Sequence, residues 1–338
     1  MDYYAGLDLH SNNTYLGILD EKGTKVYKAK VPNHLPMILR ALRPYRESMV
    51  GAVVESTFNW YWLVDGLMEE RYKLHLANPA AIKQYEGLKH TNDYYDAFYL
   101  ADLLRLGLLK EGYIYPKKER AIRDLLRKRL MLVEQRTSHI LSFQTLYNRE
   151  KGSKFASNDV KRLREEEIEP LFSDEYVCLS AQANISLIRF LTKKIKELET
   201  AVLGYMRVLP EFVKLKTVPG IGDILALTIS LETGDIRRFP KVGNYSSYCR
   251  CVNSQRLSNG KKKGENNRKN GNRYLSWAFA EAANFARRYC PYAKRFYNRK
   301  LSKTHKIVAI KALAHKLARA SYFVIRDRVD YDPTKAFG

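Results

Sequence analysis

The chain has 338 residues, 45% of them hydrophobic, which suits about two to three domains at ~100–200 residues each and predicts a globular protein with a sizeable core. Lys and Arg number 59 against 36 Asp and Glu, a formal net charge of +23, and 24 tyrosines are interleaved with them. Such a balance favours a polyphosphate partner and makes nucleic acid the default one, because cations neutralise phosphates and aromatic faces stack on bases.

Cys178, Cys249, Cys251 and Cys290 form no C-x-x-C pair and have no His at zinc-ligand spacing, so neither a zinc site nor a disulfide framework is expected. The opening MDYYAGLDLHS lacks an apolar signal core, and no stretch reaches the ~18 apolar residues of a membrane span. A cytoplasmic protein without a membrane partner is the expectation.

YYAGLDL, NTYLGILD and TKVYKAKVP, separated by the turn-prone SNN and EKG, predict three successive strands in a meander. HLPMILRALRPY follows as a helix, MVGAVVE as a buried strand, NWYWLVDGLMEE as a helix and YKLHLAN as a strand. This order predicts a mixed sheet with helices on its faces, over residues 1–112. Residues 113–210 are charge-rich with apolar positions at helical spacing. RAIRDLLRKRLMLVEQRTSHILSFQTLYNRE and SLIRFLTKKIKELETAVLGYMRVL predict two long antiparallel helices, either a hairpin arm of the kind that mediates oligomerisation or spans a ligand, or a solvated bundle. On it, Arg123, Arg127, Lys128 and Arg129 are open to two readings, nucleic-acid contact or simple solubility. Residues 211–338 are mainly helical. There LKTVPGIGDILALTISLETGD carries a P-G-I-G turn, a polar stretch NSQRLSNGKKKGENNRKNGNRYL follows, and SWAFAEAANFARRY and THKIVAIKALAHKLARASYFVIRDR are helices.

Asp8 ends the first predicted strand, Glu55 ends MVGAVVE, and Asp93 and Asp96 stand at i and i+3, on one face of a helix. Asp102 falls on about the opposite side at ~3.6 residues per turn and reads as structural. Asp93 also suits a helix cap and Asp96 the helix dipole. Clustered carboxylates repel unless a cation compensates them, and Mg²⁺ both takes oxygen ligands and stabilises phosphoryl displacement. A phosphate-seeking chain with one acidic pocket is thereby coherent.

GLDLHS, VVESTFNWYW and K-x-T-N-D-x-x-D-A-x-x-L-A together resemble the DEDD, or RuvC-like, domain of transposases of bacterial and archaeal insertion sequences, a group that includes the Piv-type DNA invertases. VPGIGDILALTISLETGDIRRFP, SNGKKKG and KNGNRYL are similar to that family's C-terminal domain. The resemblance implies an RNase H-like (RuvC-like) fold for residues 1–112, with Asp8, Glu55, Asp93 and Asp96 as a catalytic, Mg²⁺-binding quartet. It further implies a C-terminal serine nucleophile, here Ser258, in a Ser-Asn-Gly where the family reads Ser-Gly-Gly. Arg250 and Asn253 stand where that family has glycine and proline, and Ser254 is the competing serine. The implied reaction is DNA strand exchange through a covalent 5′-phosphoserine, directed to donor and target DNA by a structured bridge RNA. The implied assembly is a tetramer built from dimers, associated with the nucleoid.

Serine needs activation by a base or metal, and no His neighbours Ser258 in sequence. Arg237, Arg238, Lys261, Lys262, Lys263, Arg268, Lys269 and Arg273 flank it and are expected to hold the nucleic-acid backbone, while Gly220 and Gly222 resemble a helix-hairpin-helix phosphate grip. Two rival functions remain open at this point. One is a metal-dependent nuclease or Holliday-junction resolvase that uses the quartet to activate water. The other is a nucleic-acid-binding protein that keeps the fold without the chemistry.

Overall fold

A computed structural model describes residues 1–82, 92–204, 210–252, 256–264 and 270–337. The chain divides into two compact units, Met1–Lys117 and Lys118–Gly338.

In the first unit the meander is β1 (Tyr3–Leu9), β2 (Asn13–Asp20) and β3 (Lys25–Pro32), all antiparallel. α1 (Leu35–Leu42) leads through a 3₁₀ segment, Arg43–Ser48, to β4 (Met49–Glu55), which pairs parallel to β1. The helix in HLPMILRALRPY is thus shorter than its apolar spacing predicts, because Pro44 stands at the first turn of the 3₁₀ segment and has no N–H to continue the α ladder. α2 (Tyr61–Glu69) crosses to the short β5 (Leu74–Ala77), parallel to β4, and α3 (Asp93–Arg105) closes the unit. Strand order is β3-β2-β1-β4-β5. This is the expected mixed sheet, with RNase H-like architecture.

The central strands are covered on both faces, which is why β1 and β4 read as continuous apolar runs rather than alternating ones. On one face Ala5, Leu7, Leu9, Leu16, Ile18 and Val54 pack with Ile38, Leu42, Leu63 and Leu67 of α1 and α2. On the other, Leu19 packs with Phe98 and Ala101 of α3, and Val53 with Leu100.

The second unit is largely helical, as expected. α4 (Lys117–Lys151), α5 (Ser157–Val160) and α6 (Glu175–Leu203) make the hairpin. α6 starts well before Ser186, because Asp174 caps it: its carboxylate accepts from the backbone N–H groups of Tyr176 and Val177. α7 (Pro210–Leu215), α8 (Asp223–Thr233) and α9 (Val242–Tyr248) precede a two-stranded hairpin, β6 (Arg256–Ser258) and β7 (Lys261–Gly264). α10 (Arg273–Tyr289), α11 (Pro291–Leu301), α12 (Lys306–Asp327) and α13 (Pro333–Phe337) complete it.

Two cores support the long helices. Leu126 of α4 and Val202 of α6 join the large core of α7 to α12, while Ile140, Phe143 and Leu146 meet Ala181, Ile185 and Ile188 around Ile168 and Phe172. The arginines of α4 prove to be internal ties. Arg123 Nε lies 3.1 Å from the buried Glu232 carboxylate and Arg127 Nη2 2.8 Å from it, Asn272 Nδ2 donates to the same group at 2.6 Å, and Arg129 donates to Glu199. Burial pushes the Glu232 carboxyl up, but the Arg127 hydrogen bond and the Arg123 and Arg127 charges outweigh it and leave it below the usual range.

Candidate active site

Two glycines let α3 come down onto the sheet. Gly6 of β1 faces Gly17 of β2 across the ladder. A Cβ on Gly6 would lie 1.9 Å from the Ala97 carbonyl oxygen and 2.9 Å from the Ala101 nitrogen; one on Gly17 would lie 2.8 Å from the Phe98 ring. Only hydrogen at Gly6 allows this approach, and Ala97 and Ala101 supply the matching small residues on the helix. Asp93 stands four residues before Ala97 on the same helical stripe, and Asp8 stands two after Gly6 on the same strand face, so the contact that fixes the helix also sets the carboxylates against each other.

Asp8, His10 and Asp93 each offer a ligand atom within 4.8 Å of the others. His10 Nε2 is 2.9 Å from Asp8 Oδ2 and 3.7 Å from Asp93 Oδ1. Among the described residues this cluster, rich in carboxylate oxygen, is suited to a divalent metal such as Mg²⁺. Glu55 ends β4 one step beyond the Leu7 and Val54 pair, level with Asp8. Its carboxyl is raised by burial and then by the charges of Asp8 and Asp96. Asp8 is raised by burial too; the His10 hydrogen bond opposes this, and Asp96 and Asp93 add to it. Two half-desolvated acids that repel each other and two further acids are an arrangement a dication relieves, so the residues present fit the metal.

The helix cap at this end is Asn92, whose side chain accepts from the Tyr95 N–H, so capping does not account for Asp93. Asp102 is structural, accepting from Arg105 Nη2 at 2.7 Å and Nε at 2.9 Å. His10 is the member that sequence reasoning missed, although DLH carries its signal: it stands one residue past the end of β1 and two after Asp8, and its ring reaches the Asp8 carboxylate.

The second unit holds the remaining candidates. Ser258 is exposed at the end of β6, paired with Lys261 across an Asn259-Gly260 turn in which both residues have positive φ, 49° and 70°. Lys261 and Lys263 are exposed on β7. Nothing is described of the Lys262 side chain; Ser254, Asn253, Arg268 and Lys269 lie outside the described residues. Arg237 is engaged with Asp235 at 2.8 Å; the Arg238 guanidinium lies 4.3 Å from the Phe239 ring centre and 4.4 Å from that of Tyr248; Arg273 donates to the Tyr274 hydroxyl. Gly220 is a packing glycine, with φ +82° and a Cβ position 2.1 Å from the Ala282 carbonyl oxygen of α10. Gly222 faces open space at the start of α8, where Asp223 pairs with Lys216 at 2.7 Å.

Comparison with known families gives two matches. Residues 5–148 match the model of the DEDD transposase of the IS110 type, and residues 213–298 match the model described as the transposase IS116/IS110/IS902 family. No curated protein matches the chain. These findings overturn the expected covalent phosphoserine route. The DEDD match takes in Asp8, His10 and Asp93, a metal-ligating cluster, and this combination is that of a metal-dependent nuclease in which water attacks; Ser258 lies outside that match, exposed on a lysine hairpin. Phosphoryl transfer on DNA is the chemistry of such enzymes, and among the described residues no helix is long and apolar enough to cross a membrane. With an RNase H-like unit carrying this acidic cluster and a helical unit matching the second model, the chain belongs to the IS110/IS902 family of DEDD, RuvC-like transposases.

Proposed function

We propose that the protein cuts DNA strands by metal-dependent hydrolysis at the carboxylates Asp8, Glu55, Asp93 and Asp96, in the manner of a RuvC-like nuclease or junction resolvase. The observation that carries this is Asp8: buried, raised by desolvation, level with Glu55 through the pairing of β1 and β4, and set against Asp93 by a helix that only a glycine admits. Asp8 and Asp93 would hold Mg²⁺, with Glu55 and Asp96 completing the acidic surround. The metal would supply Lewis acidity at the phosphate and a water of lowered pKa. Water oxygen bonds to phosphorus, the bond to the 3′ oxygen breaks, and the leaving oxygen takes a proton, giving 3′-hydroxyl and 5′-phosphate ends. His10, hydrogen-bonded to Asp8, fixes the orientation of that carboxylate.

The finer partners belong to the same reading. A structured guide RNA is implied by the family resemblance, and exposed Lys261 and Lys263 suit a nucleic-acid backbone. Homo-oligomers, dimers assembling to tetramers, are supported by α6, where exposed Tyr176, Leu179, Ala183, Leu187 and Phe190 stand three or four residues apart along one face of the helix. The division 1–112, 113–210 and 211–338 then separates cleavage, assembly and nucleic-acid contact, in a prokaryotic cytoplasm near the nucleoid.

The test is cleavage of a branched DNA junction with Mg²⁺ on a denaturing gel. Asp8→Asn should abolish product, Ser258→Ala should retain it, and no protein should stay attached to DNA. A covalent adduct that vanishes in Ser258→Ala would overturn the proposal.

A further inference from the structure

The face of the sheet that carries Asp8 also carries a row of lysines on β3. Asp8 pairs with Tyr15, and Tyr15 with Lys30, so the three form one transverse row; Gly6, Gly17 and Lys28 form the next, and Tyr4, Leu19 and Lys25 the one after. Side chains across a row share a face, so all three lysines project on the side of α3. The alternate residues of β3, Tyr27, Ala29 and Val31, turn into the core on the other side.

Each ammonium rests on a ring. Lys30 Nζ is 5.2 Å from the Tyr15 ring centre, Lys28 Nζ 5.4 Å from that of Tyr94, and Lys25 Nζ 4.8 Å from that of Phe98. Tyr15 and Tyr94 meet edge to face at 5.0 Å, and His10 meets Tyr15 at 5.5 Å. A continuous chain of contacts therefore runs from Asp8 through His10 and Tyr15 to Lys30. Lys25, Lys28 and Lys30 stay exposed, and Tyr15 and Tyr94 are half-buried.

Lysines on an edge strand commonly serve to block pairing with another sheet. That role needs charge but no fixed place for it. Here rings hold the three ammonium groups along a line that ends at the acidic cluster, with roughly 7 Å of strand between Lys28 and Lys30. Like charge held in place beside a site for phosphodiester cleavage suits successive phosphates of one strand.

We propose that Lys25, Lys28 and Lys30, braced by Tyr15, Tyr94 and Phe98, form a track that grips the backbone of the DNA strand being cut and positions its scissile phosphate at the acidic cluster. The inference rests on the hydrolytic reading of that cluster. Lys28 and Lys30 are positioning residues, and Tyr15 is the joint between track and centre.

The experiment uses the full chain with Lys28→Gln/Lys30→Gln, which removes the charge and keeps a polar side chain, and with Lys28→Arg/Lys30→Arg, which keeps the charge. Binding of single-stranded DNA, duplex DNA and single-stranded RNA is measured against salt in EDTA, and cleavage with Mg²⁺. For single-stranded DNA the Gln variant should bind at least tenfold more weakly at low salt, with the slope of log K against log salt reduced by about 1.4, about 0.7 for each phosphate no longer neutralised. KM for DNA should rise and the Arg variant should restore both. Asp8→Asn should abolish cleavage yet keep the wild-type slope, so failure of the acidic site and failure of the track are read separately. A folded Gln variant with unchanged DNA slope and cleavage would refute the track. So would a slope lost for RNA but kept for DNA, which would assign the lysines to an RNA.

Discussion

Gly6→Ala is the most direct perturbation of the site, although Gly6 touches no substrate. The added Cβ would lie 1.9 Å from the Ala97 carbonyl oxygen, where contacts below 3.0 Å essentially never occur, so α3 must retreat by at least about 1.1 Å. Neither neighbour can yield by rotating, because both are helix backbone. Overpacking of this kind costs about 1–3 kcal/mol or more. For a unit of this size that lowers the melting temperature by roughly 10 °C, read by circular dichroism. A misplacement of about 1 Å at a reacting centre costs on the order of 100-fold in rate, so cleavage should fall by about that factor under conditions where the protein is still folded. Gly243→Ala is the control: nothing lies within 4 Å of its Cβ position, and it should be neutral or slightly stabilising. Wild-type melting and cleavage in Gly6→Ala would refute the argument that this contact sets the carboxylates.

Asp8 and Glu55 both have raised carboxyls in the fold, so the folded unit holds protons the unfolded chain has released; without metal, its stability is fully present below the ordinary carboxylate range and falls as pH rises through the raised values. Asp8→Asn should therefore melt higher than the wild type at pH 7 in EDTA, with the difference shrinking in acid; equal melting at pH 7 would contradict the assigned desolvation. Glu232 has the opposite sign: its contribution is present above the ordinary range and is lost as pH falls through its lowered value. Glu232→Ala removes the buried carboxylate that Arg123, Arg127 and Asn272 share and should destabilise the helical unit by about 3–5 kcal/mol in a urea titration. Leu187→Glu/Phe190→Glu should lower the sedimentation mass while leaving the melting temperature within a few degrees; an unchanged mass would remove α6 from the assembly.

Much of the first unit was legible because period is a local property. Alternation and turn dipeptides placed β1 to β3, and of the acids that spacing singled out, Asp8 and Asp93 come within ligand distance of one another, with His10. What escaped depends on partners distant in sequence. Arg123 and Arg127 read as surface charge until Glu232 arrives from α8 to pair with them. Gly220 read as a phosphate grip, and its reason is the backbone of α10. The β6 and β7 hairpin had a local sign, the Asn259-Gly260 turn, hidden in a polar stretch with few apolar residues to mark strands. Serine chemistry was read from a motif rather than from surroundings, and Ser258 is exposed on a lysine hairpin in the unit that lacks the DEDD match's acidic cluster.

α4 runs 35 residues as one helix through two separate cores, meeting the first at Leu126 and the second from Ile140 onward. Its two ends are therefore locked in rotational phase. Inserting one residue between them would turn Ile140 and Phe143 by about 100° away from α6, and two would turn them further. Insertions of about seven residues, close to two full turns, restore the phase, provided α6 lengthens to match. Among relatives the arm should then vary in length by steps rather than continuously, a ruler graduated in helical turns.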